Sequence, residues 1–191
     1  MHKIAVFASG AGSNAQKIID HFRQHVTIQV GLIVSNKPDA GVVEIAKAAH
    51  IPVLFIEKEK FFRGDAYVHE LKESGISFIV LAGFLWKVPA PLIQSFPLRI
   101  INVHPALLPK YGGRGMYGSF VHKAVKAAGD TETGITIHYV DEKYDNGDII
   151  LQVSCPVDPS DTPETIAAKV HTLEYAHFPQ VIEQVISGSL Y

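Results

Sequence analysis

The sequence is poor in cysteine, with a single residue of this type, Cys155, among 191. One cysteine cannot form an internal disulfide, which fits a reducing compartment, and it excludes a cysteine-based zinc site. Because Cys155 falls in an apolar, strand-like run, we expect it to be a small buried hydrophobic side chain.

Long hydrophobic runs are also missing. No stretch approaches the roughly 20 apolar residues of a membrane-spanning helix, and the apolar run after Met1 is too short for a signal peptide. Hydrophobic residues still make up 47% of the chain, enough for a sizeable core. We therefore expect a single domain over residues 1–191, located in the cytoplasm and without a membrane partner.

A strong charge of either sign is absent, since 17 basic and 19 acidic residues give a formal net charge of −2. The basic residues do not cluster, which argues against a nucleic-acid partner. None of the ten histidines forms an H-E-x-x-H motif, and no G-x-S-x-G motif is present, so we expect neither a metal site nor serine-hydrolase chemistry. His138 lies within a predicted strand and is interpreted as a satisfied strand histidine.

Strand-like and helix-like segments alternate through the first hundred residues. Strands are predicted at residues 3–8, 28–35, 53–56, 78–82 and 100–103, with helices opening after residue 13 and at 41–50, about 63–74 and 91–95. The first strand is apolar almost throughout, as strands buried on both faces are. Alternation in units of this size predicts an α/β fold with a doubly wound, mostly parallel, Rossmann-like sheet.

The pattern changes after Pro109. A glycine-rich loop at residues 110–118 precedes a predicted helix at 120–128, and two strands are predicted at 133–140 and 149–157. The connection between these two strands is too short for a crossover helix, so an antiparallel C-terminal strand is expected.

A long C-terminal helix is predicted after that pair of strands. Asp161 would cap it, with Glu164 three residues on, as at many helix starts. The helix would run to about Ile186 and stop at Gly188, with a kink or break at Pro179.

The most informative stretch is the end of the fifth predicted strand, where Asn102 and His104 precede Pro105. Alternate residues of an extended chain share a face, so the amide and the imidazole would point the same way. Pro105 keeps His104 out of the helical region. Polar caps on a strand end would explain an isolated N-x-H, but ligands bind at this end of an open α/β sheet.

A glycine loop, Gly10-x-Gly12-x-x-Ala15, follows the first predicted strand and opens a helix. It matches a dinucleotide fingerprint, but no carboxylate follows the second strand to hold a ribose, which disfavours a nicotinamide cofactor. Glycines and a helix N-terminus still suit an anion. With Ser13 and Asn14 as further donors, a phosphate monoester is predicted here in preference to an ordinary strand–helix turn.

An acidic connection, residues 141–148, joins the last two predicted strands. A solvated hairpin loop would have the same composition, and a calcium loop would need a terminal bidentate glutamate that is absent. The functional interpretation is that one of its carboxylates faces His104, where it would favour the charged imidazole and relay a proton.

These motifs together resemble a known family. Asn102-x-His104-Pro105-x-x-Leu108-Pro109, followed by Asp145-x-Gly147 and preceded by the Gly10-x-Gly12-Ser13-Asn14 loop, is similar to the formyltetrahydrofolate-dependent formyltransferases. The resemblance runs collinearly from residue 3 to about 186. Within the family it is greatest to members that formylate glycinamide ribonucleotide, because relatives acting on methionyl-tRNA or hydrolysing formyl-folate carry an additional domain.

The resemblance implies a role for individual residues. Asn102, His104 and Asp145 would be catalytic. Gly12, Ser13, Asn14, His171 and Glu174 would bind the ribonucleotide. Arg63, Leu85, Trp86, Lys87, Val88, Asn102, Asp141 and Asp145 would bind the folate, with residues 85–88 acting mainly through their backbone. Arg114 stands where relatives often have lysine, and its role stays open.

The implied activity is formyl transfer from 10-formyltetrahydrofolate, a co-substrate, to the amine of glycinamide ribonucleotide in purine biosynthesis, without a metal. Transfer to another amine, such as a sugar nucleotide, and a non-catalytic folate or nucleotide sensor remain alternatives. Small molecules are the expected partners, and either a monomer or a homodimer is compatible with the sequence.

Overall fold

A computed structural model describes residues 1–189. Seven strands form one sheet: β1 (His2–Phe7), β2 (Ile28–Ser35), β3 (Val53–Phe55), β4 (Ile76–Leu81), β5 (Ile100–His104), β6 (Glu132–Tyr139) and β7 (Ile149–Pro156). The helices are α1 (Ser13–Phe22), α2 (Gly41–Ala48), α3 (Lys58–Phe62), α4 (Val68–Glu73), α5 (Ala90–Ser95), α6 (Ser119–Ala128) and α7 (Pro163–Ser187).

The strands lie in the order β3-β2-β1-β4-β5-β6-β7. Strands β1 to β5 are parallel, whereas β6 is antiparallel to both of its neighbours. The strand order reverses between β1 and β4, which creates the crevice where open α/β sheets bind ligands. The predicted doubly wound sheet and the antiparallel pairing of the last two strands are thus confirmed.

Hydrophobic side chains fill a core on each face of this sheet. One contains α1, α2, α6 and α7, with Ile18, Val43, Val121 and Phe178 among its buried residues. The other lies under α3, α4 and α5 around Phe61. With both faces covered, β1 and β4 are almost wholly buried, as their apolar sequences predict.

The prediction of one helix over residues 63–74 is wrong. Only the second half of this range is helical, as α4 (Val68–Glu73), while the separate short helix α3 ends just before the range with Arg63 as its C-cap. Gly64 follows with φ +108, outside the helical region, and a Cβ there would meet the ring of Pro91 at 2.8 Å. The chain therefore turns at Gly64, which a helical periodicity does not reveal.

The start of α7 also differs from the sequence prediction. Thr162, and not Asp161, is its N-cap, and it forms a reciprocal capping box with Thr165. The helix ends at the left-handed Gly188, as predicted, and runs on through Pro179, so the predicted break is absent.

Candidate active site

A cleft of about 790 Å³ opens at the carboxyl ends of β1, β4 and β5, beside the point where the strand order reverses. It is lined by residues 9–14, 82–85, 102–105 and 113–120, together with Lys37, His122, Tyr144, Asp145, His171 and Glu174. All eight residues predicted to bind the ribonucleotide or to act in catalysis line this one cleft.

Asn102 and His104 both line the cleft from the end of β5. They share a face because residues alternate along a strand, which was the prediction from the N-x-H spacing. His104 is only 4% exposed. Opposite it on β6, the buried Thr136 hydroxyl donates to the Ala106 carbonyl and accepts from the Leu108 amide, which ties the following loop to the sheet.

Both ring nitrogens of His104 face hydrogen-bond acceptors. Nε2 lies 2.8 Å from the carbonyl oxygen of Tyr111, and since a carbonyl can only accept, Nε2 carries a hydrogen. Nδ1 lies 3.5 Å from Oδ1 of Asp145. Nδ1 is therefore the ring nitrogen that faces the carboxylate of Asp145.

Asp145 is held by the backbone of the glycine-rich loop, because its Oδ2 accepts a hydrogen bond from the Gly113 amide at 2.9 Å. Its own φ of 49° is left-handed, a conformation that aspartate tolerates better than most residues. Two residues on, a Cβ on Gly147 would lie 1.9 Å from the Tyr139 carbonyl oxygen. The Asp-x-Gly pattern thus has a steric cause: only glycine lets this connection pass so close to β6.

His138 is a satisfied strand histidine, as interpreted from the sequence, and it also belongs to this cluster, which the sequence did not indicate. Its Nδ1 donates to the Tyr139 carbonyl at 2.8 Å, and burial, the largest influence, lowers its pKa, so the ring is neutral and Nε2 is an acceptor. Asn102 Nδ2 lies 3.1 Å from that Nε2. One amide hydrogen of Asn102 is therefore engaged, and the second is available to a ligand. Strand pairing is the information that could have revealed this contact, since Asn102 and His138 are direct partners across β5 and β6.

The other end of the cleft is built from the loop after β1. Gly12 has φ 81°, and a Cβ there would meet Val42 of α2 at 2.8 Å, so glycine is required. Ser13 begins α1, and within the described chain no side chain caps that helix. Its first amides therefore remain available to an anion.

Lys37 lines the same end of the cleft and was not singled out from the sequence. The Ser35 hydroxyl donates to the Lys37 carbonyl and accepts from its amide, which fixes the turn after β2. Among residues 1–189, no carboxylate lies within ion-pair distance of its ammonium group. An unpaired cation beside a helix N-terminus strengthens the attraction for a phosphate.

Glu174, on α7, meets the loop after β1 inside the cleft. Asn14 Nδ2 donates to its Oε2 at 2.8 Å, and the glutamate is 5% exposed. Burial raises the pKa of this carboxyl group, against the opposing effects of Asn14 and His171. His171 also lines the cleft, with its ring stacked on Tyr175 at 5.9 Å.

His122 is another cleft residue that the sequence did not single out. It lines the cleft from α6, is 2% exposed, and its Nδ1 has no hydrogen-bond partner in residues 1–189. Burial, then the charges of His171 and His104, lowers the pKa of His122 to about 4. This histidine is therefore a neutral group near pH 7.

Several residues with an expected folate role lie outside the cleft. The side chain of Arg63 is 79% exposed and faces Glu59 at 3.9 Å, Trp86 packs against Phe61 and Phe62, and Val88 is buried in the core. Lys87 is exposed and does not line the cleft. These positions leave the folate assignments of residues 86–88 and Arg63 as predictions.

Two other folate candidates have their polar groups engaged within the protein. Asp141 accepts from the Lys143 amide and the Asn146 side chain, and so organises the acidic connection. Leu85 does line the cleft, but its amide donates to the Ser9 hydroxyl at 3.0 Å. The carbonyl of Leu85, and not its amide, is the backbone group left for a ligand.

In residues 1–189, no group of three or more histidine, cysteine, aspartate or glutamate side chains is arranged to hold a metal ion. Over the same range, no helix has both the length and the apolar character needed to cross a membrane.

A doubly wound sheet with its cleft at the switch point is the architecture of nucleotide-binding α/β proteins. Comparison with known sequences narrows this class, because the family profile described as formyl transferase matches residues 2–182. The chain therefore belongs to the formyl transferase family, which confirms the resemblance inferred from the Asn102 and His104 signature.

Individual relatives align with most of this chain. A phosphoribosylglycinamide formyltransferase, chloroplastic, from Arabidopsis thaliana is 44% identical over 186 residues, covering 94% of this chain and 64% of that protein. The chain thus spans less than two thirds of the length of this plant relative. A phosphoribosylglycinamide formyltransferase from Bacillus subtilis is 38% identical over 191 residues, covering 97% of this chain and 95% of that protein. A crystal structure of phosphoribosylglycinamide formyltransferase from Bacillus halodurans has a TM-score of 0.88 at 35% identity, covering 98% and 96% of the two chains.

Proposed function

We propose that this protein transfers the formyl group of 10-formyltetrahydrofolate to the primary amine of glycinamide ribonucleotide. One observation carries the proposal: Asn102, His104 and Asp145 stand in the same cleft as Glu174 and the glycine loop after β1, where a phosphate is predicted to bind. A single substrate with a phosphate at one end and an amine at the other can therefore reach both groups. The names of the Bacillus and Arabidopsis relatives support the same substrate.

The ribonucleotide is held by its phosphate and its ribose. The phosphate receives the amides at the start of α1, the Ser13 hydroxyl and the Lys37 ammonium group. Glu174 accepts hydrogen bonds from ribose hydroxyls, and His171 lies beside it. The buried Oδ1 of Asn14, which has no partner within residues 1–189, is a further acceptor at this end.

The amine then attacks the formyl carbon, and the carbonyl oxygen acquires negative charge. The free amide hydrogen of Asn102 and the Nδ1 hydrogen of His104 are the donors for that oxygen. Fixed donors in a site shielded from water stabilise such charge strongly, by roughly 3–4 kcal/mol for one donor. Tyr111 and His138 keep these two donors oriented before the substrate arrives.

Proton transfer completes the reaction. The attacking nitrogen loses one proton as it becomes an amide, and the departing folate nitrogen gains one, so the overall balance is neutral. Asp145, 12% exposed and 3.5 Å from His104 Nδ1, stands where it can carry that proton with a water molecule. No covalent bond to the enzyme forms in this mechanism.

Formyl-folate enters as a substrate and not as a resident cofactor. Its pterin would lie against residues 82–85 after β4, where the Leu85 carbonyl is available, and against the acidic connection near Tyr144. The proposal includes a cytosolic location, which the single free thiol of Cys155 fits.

The test is a spectrophotometric assay with both substrates that follows the deformylated folate. Turnover should require the ribonucleotide. Asn102→Ala and His104→Ala should each lower kcat by roughly 100-fold or more while changing KM much less, because their hydrogen bonds strengthen in the transition state. Asp145→Asn should lower the rate and also shift the pH–rate profile.

His69→Ala is the matched control, because this histidine is 81% exposed on α4, paired with Glu73 and remote from the cleft. It should behave as the wild type. Folate release without ribonucleotide would identify a hydrolase and overturn the proposal. Folate binding without turnover would overturn the assigned acceptor and favour another amine, such as a sugar nucleotide, or a sensor.

A further inference from the structure

Tyr111 adopts a backbone conformation that bulky residues avoid. Its φ is 56°, in the left-handed region, although it is neither glycine, asparagine nor aspartate. Such outliers persist only where surrounding contacts over-determine them, and they concentrate at functional sites. In this conformation the Tyr111 carbonyl points at Nε2 of His104, 2.8 Å away.

The contact that fixes Tyr111 lies outside the cleft. Its phenolic hydroxyl donates to Oδ2 of Asp130 at 2.8 Å. Asp130 follows the left-handed Gly129 at the end of α6 and precedes β6. The hydrogen bond from Tyr111 is the main cause of a lowered pKa at Asp130, while burial, followed by Asp130, raises the pKa of Tyr111, so the pair is a neutral phenol bonded to a carboxylate.

The same short loop also holds the carboxylate of Asp145, another catalytic candidate. Gly113, two residues after Tyr111, donates its amide to Asp145 at 2.9 Å. A displacement of Tyr111 would therefore move the acceptor of His104 and the donor to Asp145 together. Gly112, between them, packs closely against the Leu108 side chain, which a Cβ at this position would approach to 2.6 Å.

We propose that Asp130 is a positioning residue that acts through Tyr111 to fix the ring of His104 and the carboxylate of Asp145. Asp130 touches no substrate. It anchors the phenol, the phenol holds the strained backbone, and the backbone aligns the two side chains. Only the kinetic test of this inference rests on the proposed function. The orientation of the His104 ring can be observed without turnover.

The competing explanation is that Asp130 merely closes the loop against α6 and contributes to stability. Lys110 provides the comparison, because its ammonium group lies 3.4 Å from Asp130 and its side chain is 69% exposed. Removing Lys110 perturbs the same carboxylate but leaves the hydrogen bond from Tyr111 intact.

The experiment compares Tyr111→Phe, Asp130→Ala, Asp130→Asn and Lys110→Ala in the full chain. Tyr111→Phe removes one hydroxyl and keeps the ring, and Asp130→Asn retains an oxygen that accepts from the phenol. We expect Tyr111→Phe and Asp130→Ala to lower kcat by roughly 10- to 100-fold, as small misplacements of catalytic groups do, with KM for the ribonucleotide nearly unchanged. Asp130→Asn should recover most of the activity, and Lys110→Ala should match the wild type.

Nitrogen-15 NMR of the histidine rings supplies a readout that does not depend on catalysis. The Nε2–H signal of His104, assigned with His104→Ala, should shift or broaden in Tyr111→Phe. Wild-type kcat together with an unchanged His104 signal in Tyr111→Phe would overturn the proposal, even if the variant melted at a lower temperature. If Asp130→Ala does not fold, Tyr111→Phe and Asp130→Asn decide the matter. Absence of turnover by the wild type would refute the proposed function, while the NMR comparison would still decide this inference.

Discussion

His122 makes folding stability depend on pH in a way that the structure specifies. In the unfolded chain its pKa is near 6.5, whereas in the folded protein burial, with His171 and His104 nearby, lowers it to about 4. The folded state therefore binds this proton less readily than the unfolded state. The stability associated with neutral His122 is complete above pH 6.5 and is lost as the pH falls towards 4.

The size of the effect follows from the difference between the two pKa values. Each pKa unit corresponds to about 1.4 kcal/mol, so a difference of about 2.5 units amounts to at most about 3 kcal/mol at pH 4. That is a substantial fraction of the roughly 5–15 kcal/mol typical of a folded domain.

The measurement is the free energy of unfolding by urea, from pH 4 to pH 8, for the wild type and His122→Phe. Phenylalanine keeps a ring of similar volume but cannot take up a proton. The difference between the two proteins should be constant above about pH 7 and should turn against the wild type as the pH falls, by up to about 3 kcal/mol. His69→Gln, at an exposed position, serves as the control. Curves for wild type and His122→Phe that stay parallel down to pH 4 would refute the reasoning.

Two further predictions concern the end of the cleft where the ribonucleotide is proposed to bind. Lys37→Gln should raise KM for the ribonucleotide by roughly 3- to 10-fold, the worth of one charge-assisted hydrogen bond at a partly exposed site. It should have no effect on an analogue that lacks the phosphate, and an equal loss with both substrates would contradict the assignment. Burial raises the pKa of Glu174, so the wild type should lose stability relative to Glu174→Gln as the pH rises from about 4.5, because the unfolded chain ionises first. Urea unfolding at pH 4 and pH 7 measures this, and the same variant should raise KM for the ribonucleotide; a stability difference that did not change with pH would count against it.

Local patterns identified most of the fold. The alternating apolar segments predicted five parallel strands in order, and the short connection of residues 141–148 predicted the antiparallel pair. The error at residues 63–74 arose because the turn at Gly64 is set by its approach to Pro91, which is distant in sequence. The start of α7 was displaced by one residue because Asp161 and Thr162 are both good capping residues, and the capping-box geometry selects Thr162.

The candidate site divides in a similar way. Asn102 and His104 could be placed on one face from their spacing alone, since a strand has a period of two. The partner carboxylate was assigned to Asp145 through a family resemblance, and its contact with His104 depends on a left-handed turn and on Gly113. His138, His122 and Lys37 carry no local signature of function.

The sequence by itself determined the order of the elements and the shared face of Asn102 and His104, and it predicted an anion site at the loop of Gly12. These are consequences of short-range backbone geometry, which neighbouring residues dictate. Only the tertiary structure decided which groups surround His104, because strand register and loop closure bring together residues that lie far apart in the chain. Protonation was decided there as well: His122 and Glu174 have shifted pKa values because the packed protein removes water from them, and burial is a property of the whole fold.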